Sequence, residues 1–235
     1  MKALYMDNME LKEWITTVSA IDGTRIMLEE TAFYPESGGV SSDKGIIICD
    51  EKSLEYSMSQ AIKEGNKILH DIGSHDLVIG DKVRCVLDWD RRHRLMRMHT
   101  AAHLLSALFS GMGARITGNR IDYDKSRMDY SIESFDRALI EEKVMEANNL
   151  IKRGAQVKVS YMNREEALEI PGMVKLAGAL PPTQDTLRIV SIVGIDMQAD
   201  GGCHVNNISH IGKIVITKME NKGSKNRRIT YVLED

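Results

Sequence analysis

Two histidines four residues apart, His99 and His103, stand in the run Met98-His99-Thr100-Ala101-Ala102-His103. On a helix this spacing puts both imidazoles one turn apart on one face, where they can share a tetrahedral metal ion. An isolated H-x-x-x-H is more often a pair of polar residues on a solvated face. The neighbours weigh against that here, because Ala101, Ala102, Leu104 and Leu105 are small or apolar. The helix therefore reads as packed, and half-buried imidazoles need partners, which a metal supplies. A third donor is His204, in Asp200-Gly201-Gly202-Cys203-His204. Two glycines permit a tight turn or a close backbone approach to a bound group. Asp200 and Cys203 beside it are both ligand-competent. Taken alone, this segment is an ordinary glycine turn with a surface histidine; together with the earlier pair it points to a metal. Three protein ligands and an open fourth place describe a catalytic zinc site rather than a closed structural one. His70, His75, His93 and His210 read as surface or structural residues.

Basic residues gather in two places. Arg91, Arg92, Arg94 and Arg97 lead into the histidine pair, and Lys213, Lys218, Lys222, Lys225, Arg227 and Arg228 crowd the C-terminal part. Phosphate contacts use such local cations, although most charge runs are simply solvated faces. The net charge of the 235 residues is -3, so any nucleic-acid contact rests on local patches. Aromatic residues make up only 5%, which argues against a single-strand stacking surface and for a folded RNA recognised by shape.

The elements that must position these residues change character near residue 88. From 11 to 87, short β-type runs at 14–21, 25–29, 45–49, 67–72 and 82–87 alternate with turn signals such as Asp22-Gly23 and Gly65-Asn66. Such spacing suggests a small β-barrel or sandwich. The period of two through Val83, Cys85 and Leu87 turns Cys85 towards a core, and Cys49 reads the same way. Residues 90–109 have helical spacing through Leu95, Met98, Ala102, Leu105 and Phe109. Asp88 or Asp90 is a suitable cap, and Gly111 or Gly113 a suitable stop. A strand-rich piece follows at 115–132, with a turn expected at Gly118-Asn119. A second helix is expected over 136–152, with Leu139, Val144, Ala147 and Ile151 inward. A strand at 156–161 and a short helix at 164–169 follow. The apolar runs 187–195 and 213–218 read as central strands of a sheet separated by 196–212, with a last strand at 228–233. Two domains result, with a boundary near 87–90.

Hydrophobic residues at 43% and charged residues at 28% suit a soluble globular chain, with 14 methionines filling an aliphatic core. Three widely spaced cysteines are not a disulfide framework and fit a reducing compartment. The first residues carry Lys2, Asp7, Glu10 and Lys12, so no signal peptide is expected, and no run approaches the roughly 18 apolar residues of a membrane helix. The expectation is a cytoplasmic protein with no membrane partner and no DNA partner.

Three blocks resemble the alanyl-tRNA editing family, which comprises the editing domain of alanyl-tRNA synthetase and the free-standing AlaX proteins. Thr31-Ala32-Phe33-Tyr34-Pro35-Glu36-Ser37-Gly38-Gly39 with Asp43 and Gly45 resembles its T-x-F-Y-P-E-x-G-G block. Residues 98–108 resemble its H-T-x-x-H-L-L helix, and Asp200 to Asn207 with Ile211-Gly212 its C-G-G-T-H-V segment. The blocks agree in order and spacing and span nearly the whole chain. With both parts present and no aminoacylation domain, the chain resembles the medium-length AlaX class.

The resemblance implies an α+β protein: a small N-terminal β-barrel at 1–88, then a zinc-binding tRNA editing domain at 89–235 with a sheet packed against helices. It implies one Zn2+ held by His99, His103 and His204. The family cysteine falls at Asp200 and the family threonine at Cys203. The fourth place is thus open to the Asp200 carboxylate or a water, with Cys203 a poorer substitute. Thr117 matches the polar residue that contacts the substrate side chain, and Cys203 lies beside it in that role. Gly38 and Gly39 fall on the RNA side, with Arg91 and Arg94. The implied reaction is hydrolysis of serine or glycine esterified to tRNA(Ala), recognised at its acceptor end. Zinc would either polarise a water or bind the α-amino group and position the ester. Other readings are a tRNA-binding module with a structural zinc, an editing hydrolase of another tRNA, and a small-molecule esterase.

Overall fold

The computed structural model describes residues 1–132, 136–173, 183–223 and 226–235. Lys225 of the C-terminal basic cluster lies outside them. The chain divides into two compact units, Met1–Leu95 and Met96–Asp235, and the architecture is α+β.

The first unit contains β1 (Lys2–Ala3), β2 (Glu13–Asp22), β3 (Arg25–Leu28), β4 (Glu30–Thr31), β5 (Gly45–Cys49), β6 (Leu54–Met58), β7 (Gln60–Glu64), β8 (Lys67–Asp71) and β9 (Lys82–Leu87). Seven strands form one sheet in the order β6-β5-β9-β2-β3-β8-β7, and β1 pairs with β4. Only Ser59 separates β6 from β7, yet these strands are the two edges of the sheet. One residue cannot span an open seven-stranded sheet, so the sheet is curled into a half-barrel. Strand β2 carries the bend: its first half pairs with β9 and its second with β3, with a register shift between Val18 and Ala20. Cys85 and Cys49 face the core as their alternation predicts, together with Ile26, Leu28, Phe33 and Ile47. Edge strands β6 and β7 were not singled out from the sequence: β6, Leu-Glu-Tyr-Ser-Met, does alternate through Leu54, Tyr56 and Met58 but is only five residues long, and β7, Gln-Ala-Ile-Lys-Glu, is mostly polar.

Helix α1 (Trp89–Ser110) begins in the first unit and continues in the second. Asp88 caps it, its Oδ1 accepting from the Arg91 amide at 3.0 Å. Gly113, at φ +80°, ends the turn that follows. Leu95, Met98, Ala102, Leu105 and Phe109 are all buried, as their spacing requires. One of its arginines corrects the reading of a cationic face. Arg92 is 1% exposed, and its Nε donates to both Asp43 oxygens at 3.0 Å. Its Nη1 reaches Met9 O at 2.9 Å and its Nη2 reaches Ala32 O at 2.6 Å. A guanidinium so enclosed holds the fold, because burying a charge requires such pairing.

The second unit continues with β10 (Ile116–Arg120), β11 (Ser126–Tyr130), α2 (Arg137–Arg153), β12 (Val157–Asn163), α3 (Arg164–Glu169), β13 (Thr186–Ile192), β14 (Asp196–Ala199), β15 (Lys213–Asn221) and β16 (Arg227–Glu234). The apolar runs read as one sheet belong to two. Strand β13 is central in β12-β13-β14, whereas β15 is an edge of β10-β11-β16-β15. Periodicity reports burial of a strand but not its partner. Gly118 and Asn119, expected as a turn, lie inside β10, where the register shifts between Ile116 and Gly118; a bulge, rather than a turn, uses the glycine. On α2 the inward residue of the first turn is Ile140 rather than Leu139, whose amide bonds the Asp136 cap at 3.2 Å. Asn148 of α2 donates to Ile214 O at 2.9 Å and accepts from the Ile214 amide at 2.8 Å, which satisfies the backbone of edge strand β15.

Candidate metal centre

Each donor reaches the centre for a local reason. His99 and His103 lie one turn apart in the most buried part of α1, where Met98, Ala101, Leu104 and Leu105 are at 0% exposure. Their flanks pack, so the histidines are held inside rather than on a wet face. Asp200 and His204 come from the loop after β14. The Asp200 amide donates to Arg188 O at 3.1 Å, which ends the β13–β14 ladder. The Gly202 amide then donates back to Asp200 Oδ2 at 2.7 Å, closing a tight turn. A Cβ at Gly202 would stand 2.4 Å from His99 Cε1, so only glycine lets the loop approach the imidazole. Buried Arg188 fixes the same loop by donating from Nη1 to Asp200 O at 2.8 Å and Gly202 O at 3.0 Å.

The three imidazoles converge. Ring centroids are 4.8 Å apart for His99 and His103, 4.2 Å for His99 and His204, and 4.5 Å for His103 and His204. Asp200 joins them: its Oδ2 is 3.0 Å from His204 Nε2, and its Oδ1 is 3.7 Å from His99 Nε2 and 4.0 Å from His103 Nε2. One donor atom from each residue lies within 4.8 Å of all the others. In a tetrahedral site, ligands at about 2.0–2.2 Å from one ion stand ~3.3–3.6 Å apart, so the widest pair of this set must close by roughly 1.2 Å as the ion binds. Three imidazole nitrogens and a carboxylate oxygen are a borderline-hard donor set suited to zinc. Among the described residues Cys203 is not a member of this group, although it is buried next to His204.

A further shell was not legible from the motifs. Thr100 donates its hydroxyl proton to Met96 O at 2.9 Å, and its oxygen lies 3.1 Å from His204 Nδ1. With that proton committed, His204 Nδ1–H donates to the threonine and Nε2 turns its lone pair to the centre. Gln198 Nε2 lies 2.7 Å from His103 Nδ1 and donates to Asp196 Oδ2 at 2.8 Å. Asp196, Gln198 and Asp200 alternate along one chain segment, a period-two polar pattern that could have signalled a strand face turned to the site. Burial and the neighbouring His103 depress His204 to a pKa of about 4. Burial, with His204 beside it, also keeps His99 neutral well below its ordinary value. Burial opposes ionisation of Asp200, but its three histidine neighbours hold its pKa well below the usual carboxylate range. Neutral His99 and His204 beside an ionised Asp200 are protonation states that suit metal binding.

The other expected site residues lie elsewhere or take other contacts. Thr117 is exposed on β10 and donates to Asn226 Oδ1 at 3.1 Å. Gly38 and Gly39 belong to the first unit and have left-handed φ of +60° and +80°. Ser37 and Val40 close this turn by mutual backbone bonds of 3.2 and 2.9 Å. Arg91 and Arg94, in the same unit, are half-buried, and Arg91 Nε donates to Ser42 O at 3.0 Å. Among the remaining histidines, His70 is buried, His93 stacks on Trp89, His75 meets Tyr56 edge-on and His210 is exposed. No helix among the described residues is long and apolar enough to cross a membrane.

Comparison with known proteins agrees with this architecture. Residues 187–230 match the threonyl and alanyl tRNA synthetase second additional domain, and residues 2–91 match the class II (A) tRNA synthetases. The chain is 42% identical to the alanyl-tRNA editing protein AlaX-M of Saccharolobus solfataricus, with 98% of each chain covered. It is 39% identical to AlaX-M of Methanosarcina mazei, over 100% of this chain and 97% of that one. Against the alanine–tRNA ligase of Thermoplasma acidophilum the identity is 33%, over 98% of this chain but 26% of the ligase. With relatives this similar over its full length, the chain belongs to the AlaX-M family of alanyl-tRNA editing proteins.

Proposed function

We propose that this protein is a trans-editing hydrolase that removes serine, or glycine, from mischarged tRNA(Ala) at a zinc site. The observation that supports it most directly is the convergence of His99, His103, His204 and Asp200 on one point. The centre is not sealed: the Asp200 side chain is 21% exposed while that of His204 is 0% exposed. A ligand can therefore approach on the carboxylate side. A bound zinc ion would supply Lewis-acid chemistry for ester hydrolysis.

The chain's own residues supply the rest. Neutral His99 and His204 present lone pairs, and Thr100 and Gln198 orient the rings. The Arg188 guanidinium and the Gly202 amide hold the Asp200 loop. An aminoacyl ester is already activated, so orientation and modest electrostatic help suffice. Discrimination against correct Ala-tRNA rests, in this proposal, on a hydrogen bond to the serine hydroxyl, since a polar site left unpaired by alanine penalises it. Thr117 and Cys203 are the residues proposed for that contact, and Thr117→Val tests the first of them. Gly38, Gly39, Arg91 and Arg94 are proposed to face the acceptor end of the RNA. The proposed functional division is a barrel domain at 1–88 and an editing domain at 89–235.

Deacylation of a panel of mischarged tRNAs, with and without a chelator, tests this reading. Chelator-sensitive release of serine or glycine from tRNA(Ala) supports it, and activity on another tRNA reassigns the substrate. Four donors in one group are also what a closed structural site contains. Zinc-loaded protein that binds tRNA but deacylates nothing would identify a non-catalytic tRNA-binding module.

A further inference from the structure

The sheet β12-β13-β14 connects the metal centre to an aromatic side chain. Tyr161 pairs directly with Arg188 across the β12–β13 ladder. Arg188 O accepts from the Asp200 amide at 3.1 Å, one step beyond the Ile189–Ala199 pair. Tyr161, Arg188 and Asp200 therefore occupy one row across the sheet, and residues in such a row project from the same face. With strands about 4.8 Å apart, the Tyr161 and Asp200 backbones stand about 10 Å apart. The same face carries Gln198, which touches His103 of α1. Along β12 this face opens progressively: Val157 is buried, Val159 is half-buried and Tyr161 is 53% exposed. Arg188, between the tyrosine and the centre, is 6% exposed, with Nη1 committed to the Asp200–Gly202 loop. Along β12 the sheet face thus runs from a buried end at Val157 to an exposed end at Tyr161, and Asp200, half-buried, is the most exposed of the centre's four members and lies on the same row.

An exposed tyrosine on a strand is commonly just surface. Its place in this row gives it a further use. The ester to be cleaved sits on the terminal ribose, with the nucleobase on the other side of that one sugar ring. An ester carbonyl beside Asp200 leaves the base about one sugar away, at the distance scale of the row. We propose that Tyr161 is the stacking platform for the terminal nucleobase of the RNA whose ester is cleaved at the centre, an inference that rests on the editing function proposed above. Stacking on one ring face is tolerant of base identity, so the contact contributes affinity and placement rather than sequence selection. One platform per substrate also fits a chain with few aromatic residues.

The test uses an acceptor-stem minihelix with 2-aminopurine replacing the terminal adenine, and a second minihelix with an abasic terminal nucleotide. Wild-type protein and Tyr161→Phe quench the 2-aminopurine on binding. Tyr161→Ala binds without the quench and roughly 10-fold more weakly, the scale of one lost base–aromatic stack. On the abasic minihelix the wild type and Tyr161→Ala bind equally, because the two deletions remove the same contact. In deacylation, Tyr161→Ala raises KM and leaves kcat nearly unchanged. Full quenching by Tyr161→Ala, or an unchanged Kd, overturns the stacking assignment while an active wild type keeps the editing reading. A wild type that neither binds the minihelix nor deacylates mischarged tRNA overturns both.

Discussion

His204 Nε2 and Asp200 Oδ2 stand 3.0 Å apart, with the imidazole proton of His204 held on the far side by Thr100. A lone pair and a carboxylate oxygen at that separation repel unless a cation or a proton lies between them. The contact thus marks the spot to which His99 and His103 also point.

If these groups hold one zinc ion, His103→Ala lowers bound zinc below stoichiometric and cuts deacylation more than about 100-fold, through loss of several kcal/mol of transition-state stabilisation. The fold should persist, because His103 contributes no large apolar volume. Atomic-absorption analysis with circular dichroism checks this, and wild-type turnover by a zinc-depleted variant would refute the metal assignment.

Asp200→Ala separates a ligand from a bystander. Loss of the carboxylate should weaken zinc binding measured by chelator competition, and Asp200→Cys should restore it, since a thiolate also binds zinc. An unchanged affinity in Asp200→Ala would assign the fourth place to a water.

Gln198 meets His103 at Nδ1, while Nε2 of that ring faces Asp200, so its role is positional. Gln198→Ala should lower zinc affinity about 10–100-fold, the usual cost of losing an orienting partner of a ligating histidine. Gln198→Glu, which sets a second carboxylate against Asp196 where the amide nitrogen donated, should not recover the affinity. Equal affinities for all three proteins would make Gln198 ordinary packing.

In the first unit, Asp43→Ala leaves the Arg92 guanidinium buried without its carboxylate, and about 3–5 kcal/mol of stability should be lost. Urea unfolding of Asp43→Ala against the Arg92→Met, Asp43→Leu double variant measures this. The double variant should be the more stable, because it removes the stranded charge.

His70 sets a pH dependence. It is buried between Thr31 Oγ1 at 2.9 Å and Ile26 O at 3.2 Å, and burial lowers its pKa to about 4. The unfolded chain, with an ordinary value near 6.5, binds the proton first as pH falls. Stability from this group is therefore complete above about pH 6.5 and declines towards pH 4, by up to about 3 kcal/mol. His70→Gln should flatten the curve across that window in denaturant titrations; a slope identical to wild type would assign the dependence to other groups.

Local order along the chain was readable because it depends on periodicity. The spacing from Leu95 to Phe109 determined helix α1, the H-x-x-x-H within it set two donors on one turn, and alternation around Cys85 turned that thiol inward. The three family blocks were readable for the same reason, since motif spacing is a property of the chain. Tertiary structure decided what depends on partners. Short β6 and mostly polar β7 become strands because they close the edges of a curled sheet, and Arg92 leaves the cationic face because Asp43 is there to receive it. Gln198, Asp196 and Thr100 join the centre because β14 and the loop after it fold against α1, about a hundred residues distant in sequence. A long-range pairing leaves no period in the sequence, so only the packed fold shows which polar residues meet.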